Sequence, residues 1–250
     1  FLGTAAVKAD CESVGLTWAA GGEEALVLQL DGPFEQKTGG KGANAAAAAG
    51  QTFACELVCN LGAASAEENK ALLADLKAYG DVDVTRSAVL ADTPTGTAYI
   101  LLFDDNDNAI ILIGGANQKW PRAEALRGGP EGEQLRSAVS ECVCVMLQRE
   151  VPEYVNVLVA QLAHAASKPV FMDVGGTDAP LDEALMPYIT VIAPNESELA
   201  FVSGVGVQVT GLDGTKDGAS VRNAVTALKA KFAAKGNDRV EVLVTLGGFG

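Results

Sequence analysis

Residues 142–176 read CVCVMLQREVPEYVNVLVAQLAHAASKPVFMDVGG, and the order of patterns in this stretch decides the fold. A short apolar run, CVCVMLQ, leads into the helical spacing of VPEYVNVLVAQLAHAASK and then into a second apolar run, PVFMDVGG. Two strands with a helix between them are joined by a crossover, so they pair in parallel, and a parallel sheet is buried under helices. The alternation continues outward, with LVCNLG and SAEENKALLADLKAYG on one side and LDEALMPY, ITVIAPN, ESELAFVSG and VEVLVTLGG on the other. The fold class expected is α/β, a three-layer α/β/α sandwich with a mostly parallel central sheet. Cys142 and Cys144 alternate along the first run and are expected to share one buried strand face.

Two segments break the rhythm. TGTAYILLF and NAIILIGGAN flank the polar turn DDNDN and predict an antiparallel hairpin, while EEALVLQLDG has no helix after it. Together they predict a small β-sheet projecting from the main body. DDNDN is not a calcium loop, because Ala109 stands where the sharp turn needs glycine and Gly115 stands where the twelfth ligand would be glutamate.

With 250 residues, nearly half of them hydrophobic, the chain can bury one large core, alone or with a small appendage. A formal charge of −14 opposes general affinity for nucleic acid or an anionic membrane. The cysteines, Cys11, Cys55, Cys59, Cys142 and Cys144, contain no C-x-x-C pair, and the only histidine, His164, falls within a helical stretch. Free thiols in a reducing compartment are expected, without a zinc site or a histidine-based nucleophile mechanism. No apolar run is long enough to cross a bilayer, and no signal peptide is read. The chain opens on Phe1 and stops on TLGGFG, so both ends read as cut.

Ligands of a parallel sheet collect at the carboxyl ends of its strands. Lys8 and Asp10 follow LGT near the start of the chain, GGKGAN follows the projecting strand, and Gln148 and Glu150 follow CVCVML. Gly175 and Gly176 follow VFMDV, Asn195 and Glu198 follow TVIAP, and Gly247 and Gly248 follow VLVTL. The stretch GGKGANAAAAAG, residues 39–50, places bare backbone, a charge and an amide ahead of a strong helix former, a place to hold something polar. It is not a Walker loop, since no Ser or Thr follows Gly-Lys, and it does not give G-x-G-x-x-G.

GGKGAN at 39–44, PTG within 92–96, GGAN at 114–117, LQRE at 147–150, DVGG at 173–176 and PNESEL at 194–199 occur in the order found in ribokinases of the PfkB carbohydrate kinase family. The chain resembles the plant and algal type, from about residue 3 to its last residue. The resemblance implies a single ribokinase-like domain over 1–250 that lacks its C-terminal part, with a β-lid formed by about 12–38 and 93–114. It implies ATP-dependent phosphorylation of D-ribose to D-ribose 5-phosphate with magnesium, and a homodimer paired through the lid. By the family's pattern Asp10, Gly39, Gly40, Lys41, Asn44 and Glu150 would hold the sugar. Asn195 would serve the nucleotide phosphates, Glu198 the magnesium and its waters, and Thr245, Gly247 and Gly250 the start of the nucleotide loop.

Two departures stand out. Lys8 occupies the position where the family usually has asparagine. The family's general-base aspartate motif and its potassium site would lie beyond Gly250, so no residue present is nominated as the base. Two other readings stay open: another PfkB sugar or nucleoside kinase, and a catalytically inactive PfkB-like structural subunit. The compartment expected is the cytosol, or the plastid stroma if a transit peptide has been lost.

Overall fold

A computed structural model describes residues 35–102, 108–177, 179–208 and 218–246. The chain divides into two compact units, Phe1–Lys37 with Ala98–Leu112, and Thr38–Thr97 with Ile113–Gly250. In the smaller unit the described residues belong mainly to β-strands Thr97–Leu102 and Asn108–Ile113, which pair with each other as the alternation around DDNDN predicts. Ile100, Ile110, Ile111 and Leu112 are all exposed.

The larger unit is built on parallel strands. Strands Val145–Leu147, Val170–Asp173, Val191–Ala193 and Glu241–Val242 lie side by side in chain order, with Val145 opposite Val170, Met172 opposite Ile192, and Val242 also opposite Ile192. Helix Glu153–Ala165 connects the first two strands, and helices Glu196–Ser203 and Gly218–Ala234 connect the last two. Side chains alternate along each strand. Val145, Leu147, Val170, Met172 and Ile192 are buried with Leu158, Leu199, Leu228 and Phe232 in the main core, whereas Met146 and Phe171 face the other way and are exposed. Six residues of the connecting helix between Val155 and Ala163 are apolar and buried, so burial rather than amphipathic patterning fixes its place.

A second, smaller core lies under the alanine-rich helix Lys41–Gly50. It contains Ala46, Leu76 and Val82, with Ala43, Ala47 and Leu72 packed against them. Leu76 comes from helix Ala66–Tyr79, whose first turn carries Glu67 and Glu68 and whose last carries Lys77, each sign suited to its end of the helix dipole.

The central sheet is less continuous than the sequence suggests. LVCNLG does not make one strand. Cys55–Glu56 pairs in parallel with Val82–Asp83, and Asn60–Gly62 pairs in parallel with Ala88–Leu90. Between them Ser87 inserts its hydroxyl: Cys59 N–H donates to Ser87 Oγ at 3.1 Å, and that hydroxyl donates to Leu57 O at 2.9 Å. A side chain here takes the ladder bonds that a backbone neighbour would otherwise make.

Two other expectations need correction. Cys142 is not in a strand. It caps helix Pro130–Glu141, with its thiol donating to Val139 O at 3.3 Å, and the strand starts at Val145. Cys142 and Cys144 are half-buried rather than core thiols, and burial pushes the Cys142 thiol pKa up. LDEALMPY forms only a 3-10 turn over Met186–Tyr188, because Pro187 cannot continue an α-helix. His164 is exposed on its helix, with its ring 5.3 Å from that of Tyr188. Cys55, Cys59, Cys142 and Cys144 are free, and no helix among the described residues is long and apolar enough to cross a membrane.

Candidate functional site

Because the strands are parallel, their carboxyl ends share one edge, and the polar residues that follow them are neighbours. Strand Val145–Leu147 runs into Gln148, Arg149 and Glu150. Strand Val170–Asp173 runs into Val174, Gly175 and Gly176. Strand Val191–Ala193 runs into Pro194 and Asn195. Against this edge lies the start of helix Lys41–Gly50.

Gly40 sits at the helix N-terminus with φ 95°, a conformation that L side chains rarely adopt. Gly40 has no side chain with which to cap this terminus; its carbonyl accepts the first helical bond, from Asn44 N at 2.9 Å. The Lys41 amide, one of the donors that a helix start leaves without an internal partner, donates to Glu150 Oε2 at 2.8 Å. A carboxylate at a helix N-terminus also suits the helix dipole. The lysine of GGKGAN and the glutamate of LQRE, 109 residues apart in the chain, are therefore one unit.

The Lys41 side chain reaches farther. Its Nζ donates to Asp173 Oδ1 at 3.2 Å and Oδ2 at 3.4 Å, and the Gly175 amide donates to Asp173 Oδ1 at 2.8 Å. Both members of the ion pair are more than a third exposed, 37% for Lys41 and 42% for Asp173, so solvent screens it and it adds little to stability. For the same reason the ammonium can turn to an anionic ligand at small cost.

Gly175 lies where these groups meet. A Cβ there would fall onto Lys41 Nζ and would lie 2.5 Å from Lys41 Cε and 2.6 Å from Glu198 Oε1. The lysine tip and the Glu198 carboxylate thus converge over a residue that has no side chain. Gly176, at φ 114°, lies against Arg149 and Glu150 so closely that a Cβ would meet Arg149 C at 2.9 Å and Glu150 Cγ at 3.0 Å.

Asn195 and Glu198 form a reciprocal capping box. Asn195 Oδ1 accepts from Glu198 N at 2.9 Å, and Glu198 Oε2 accepts from Asn195 N at 2.9 Å. Ser197 Oγ also donates to Asn195 Oδ1, at 2.9 Å. That leaves Glu198 Oε1 directed toward Gly175. Thr245 bridges to Asn195, its amide donating to Pro194 O at 3.1 Å, which brings the last described segment to the same end of the sheet.

A model of the pfkB family of carbohydrate kinases matches residues 8–250. The chain belongs to the pfkB family. It is 37% identical over 175 residues to the ribokinase of Arabidopsis thaliana, an alignment covering 67% of this chain and 42% of the relative. It is 30% identical over 170 residues to the ribokinase of Bacillus subtilis (strain 168), covering 68% of this chain and 54% of that protein. The chain thus spans about half the length of these curated relatives. The structure of Arabidopsis thaliana ribokinase complexed with ribose and ATP superposes with a TM-score of 0.67 at 31% identity, over 88% of this chain and 65% of that one. The ribokinase-like α/β fold follows.

In this pfkB-family chain, Gly40, Lys41 and Glu150 meet, Lys41 extends toward Glu198, and Thr245 joins Asn195. Asn44 follows on the first helical turn with its side chain exposed. Asp10, Gly247 and Gly250 lie outside the described residues. Sequence reasoning overlooked Asp173 as the acceptor for Lys41 and Gly175 as their meeting point. The signal is present in DVGG, an acid and two glycines at a strand's carboxyl end, but the pattern by itself gives them no partner.

Among the described residues no group of three or more His, Cys, Asp or Glu side chains could hold a metal ion. Magnesium keeps most of its waters and takes one or two carboxylates together with substrate phosphates. The single free oxygen of Glu198 fits that outer role, and it does not fit an all-protein cage.

Proposed function

We propose that the protein catalyses ATP-dependent transfer of a phosphoryl group to the 5-hydroxyl of D-ribose. The observation that carries this reading is the Lys41–Glu150–Asp173 arrangement beside Glu198: sugar-type acceptors and amides at one point, and a lysine tip and a free carboxylate oxygen at the next. Support also comes from the Arabidopsis relative, which was solved with ribose and ATP.

In this reading Gly39, Gly40, Lys41, Asn44, Glu150 and, by resemblance, Asp10 hold the sugar. Carboxylates suit vicinal hydroxyls because each can accept two donors. Asn195, Thr245, Gly247 and Gly250 serve the nucleotide, and Glu198 orders the waters of a magnesium ion that offsets phosphate charge when bound. The Lys41 ammonium adds positive charge where the transferring phosphoryl spreads its negative charge over outer oxygens. Potassium is expected on resemblance alone.

Segments 12–38 and 93–114 are proposed as a lid that excludes water, a competing acceptor. The exposed apolar side chains of the hairpin, among them Ile100 and Leu112, support pairing between lids in a homodimer. Free thiols at Cys55, Cys59, Cys142 and Cys144 support a reducing compartment, the cytosol or the plastid stroma.

The test is a coupled ADP-release assay on the full-length protein with ribose, fructose and adenosine, each with and without potassium. Ribose is expected to be the preferred acceptor, and absence of ADP release with ribose overturns the proposal. Glu150→Ala removes the acceptor of the Lys41 amide and is expected to weaken ribose binding about tenfold to a hundredfold by calorimetry, the range for a hydrogen bond to a charged group. Unchanged affinity removes Glu150 from the sugar site.

A further inference from the structure

We propose that Arg149 is a positioning residue, one that holds the Gly175–Gly176 turn against Glu150 and so sets the grip of the Lys41 loop without bonding the ligand. Arg149 is only 4% exposed, which is rare for a guanidinium. Nη1 donates to Ala179 O at 2.8 Å, Nη2 donates to Pro180 O at 2.9 Å, and Nε lies 3.2 Å from Glu153 Oε1. That glutamate is itself steered by Asn156, whose Nδ2 donates to its Oε2 at 3.3 Å, and by the Asp182 amide, which donates to its Oε1 at 3.4 Å.

The backbone of the same arginine holds the near end of the loop. Arg149 N donates to Gly175 O at 3.3 Å, and Gly176 packs directly on the Arg149 carbonyl group. One residue therefore fixes the loop at both ends, with its main chain at Gly175 and its side chain at Ala179 and Pro180. The next residue in the chain is Glu150, whose carboxylate receives the Lys41 amide and whose carbonyl receives Gln118 Nε2 at 2.9 Å. Packing alone does not call for this choice. A buried cation needs partners, and an apolar side chain of similar volume would often be as stable. What an apolar residue lacks is the fork that ties two successive carbonyls.

Arg149 also borders an open cleft of about 580 Å³, with Glu153 and Asp182 on its wall. Water can enter there and satisfy the carbonyls when the guanidinium is removed, so the loop loosens and the chain still folds.

The kinetic readout rests on the ribose-kinase reading, and the exchange readout does not. In the full-length protein, Arg149→Met is expected to raise the KM for ribose about tenfold while the KM for ATP stays within about twofold, with Arg149→Lys between Met and wild type. In the absence of ligand, hydrogen exchange is expected to quicken in peptides covering Gly175–Thr177 and Lys41–Asn44 of Arg149→Met. A wild-type ribose KM in that variant, or an equal rise in the ATP KM, overturns the inference. Unaltered exchange in both peptides overturns it whatever the kinetics. If the wild-type protein does not phosphorylate ribose, the kinase reading falls and the exchange result alone decides Arg149. If Arg149→Met does not fold, the same two measurements on Arg149→Lys decide.

Discussion

Gly175→Ala is expected to leave the protein folded and to lower kcat/KM for ribose by about a hundredfold, the scale of loss when reacting groups are displaced by roughly an ångström. The position does not need glycine for its backbone, since Gly175 is not in the left-handed region, and alanine keeps the amide that donates to Asp173. The conflict is confined to the new methyl group, which would occupy the place of Lys41 Nζ and crowd Glu198 Oε1. Both are ends of flexible side chains and can swing away, so the cost to stability is small, about 1 kcal/mol or less. The cost to function is larger, because the charge between the Gly39–Asn44 loop and the Asn195 helix leaves its place. Coupled ADP release and a far-UV circular dichroism melt, taken together, check this. Wild-type turnover in the variant would mean that Lys41 and Glu198 do not need to converge there.

Gly62→Ala is expected to have the opposite profile, a large loss of stability. Its Cβ would run into Thr93 O, Pro94 C and Thr95 N, and these are backbone atoms that cannot swing away. They are also held in place. Gly62 N donates to Thr95 Oγ1 at 2.8 Å, Thr95 Oγ1 donates to Asn69 Oδ1 at 2.6 Å, and Asn69 Nδ2 donates to Gly62 O at 2.8 Å, a closed ring of three bonds. Thr95 N adds a bond to Ser65 Oγ at 3.1 Å. Making room for a methyl group means breaking this ring at a buried strand, and a cost of about 4 kcal/mol is expected. For a chain of this size that corresponds to a fall of roughly 10 °C in melting temperature. Gly128→Ala, where a Cβ meets nothing within 4 Å, is the matched control and is expected to be neutral or slightly stabilising. A Gly62→Ala melt equal to that of the control would show that the Thr93–Thr95 segment yields freely.

The parts of the fold that were legible in the sequence are those set by periodicity and chain punctuation. The strand–helix–strand order from Val145 to Asp173 follows from apolar spacing, and PNESEL announces the Asn195 cap through its capping-box pattern. Ser87 was not legible, because nothing local marks a serine whose hydroxyl enters a ladder. LDEALMPY misled because its apolar spacing is helical while Pro187 and the short length prevent a helix. In the site, the motifs that meet could be named because strand ends share one edge. The Lys41–Asp173 pair could not, since it joins residues 132 apart and depends on where a loop is laid down rather than on any pattern along it.

The site draws on two separate apolar cores. Lys41 begins a helix seated on the small cluster of Ala46, Leu76 and Val82, whereas Glu150 and Asp173 extend from strands rooted in the large one. Among the described residues one cluster has three buried side chains and the other twenty-five, so the two halves of the grip need not open together. On warming, ligand affinity is expected to fade several degrees below the main unfolding transition, as the lysine-bearing helix frays from a body that is still intact. Parallel temperature series of binding and of circular dichroism would separate the two events, and coincident midpoints would show that the smaller cluster melts only with the larger.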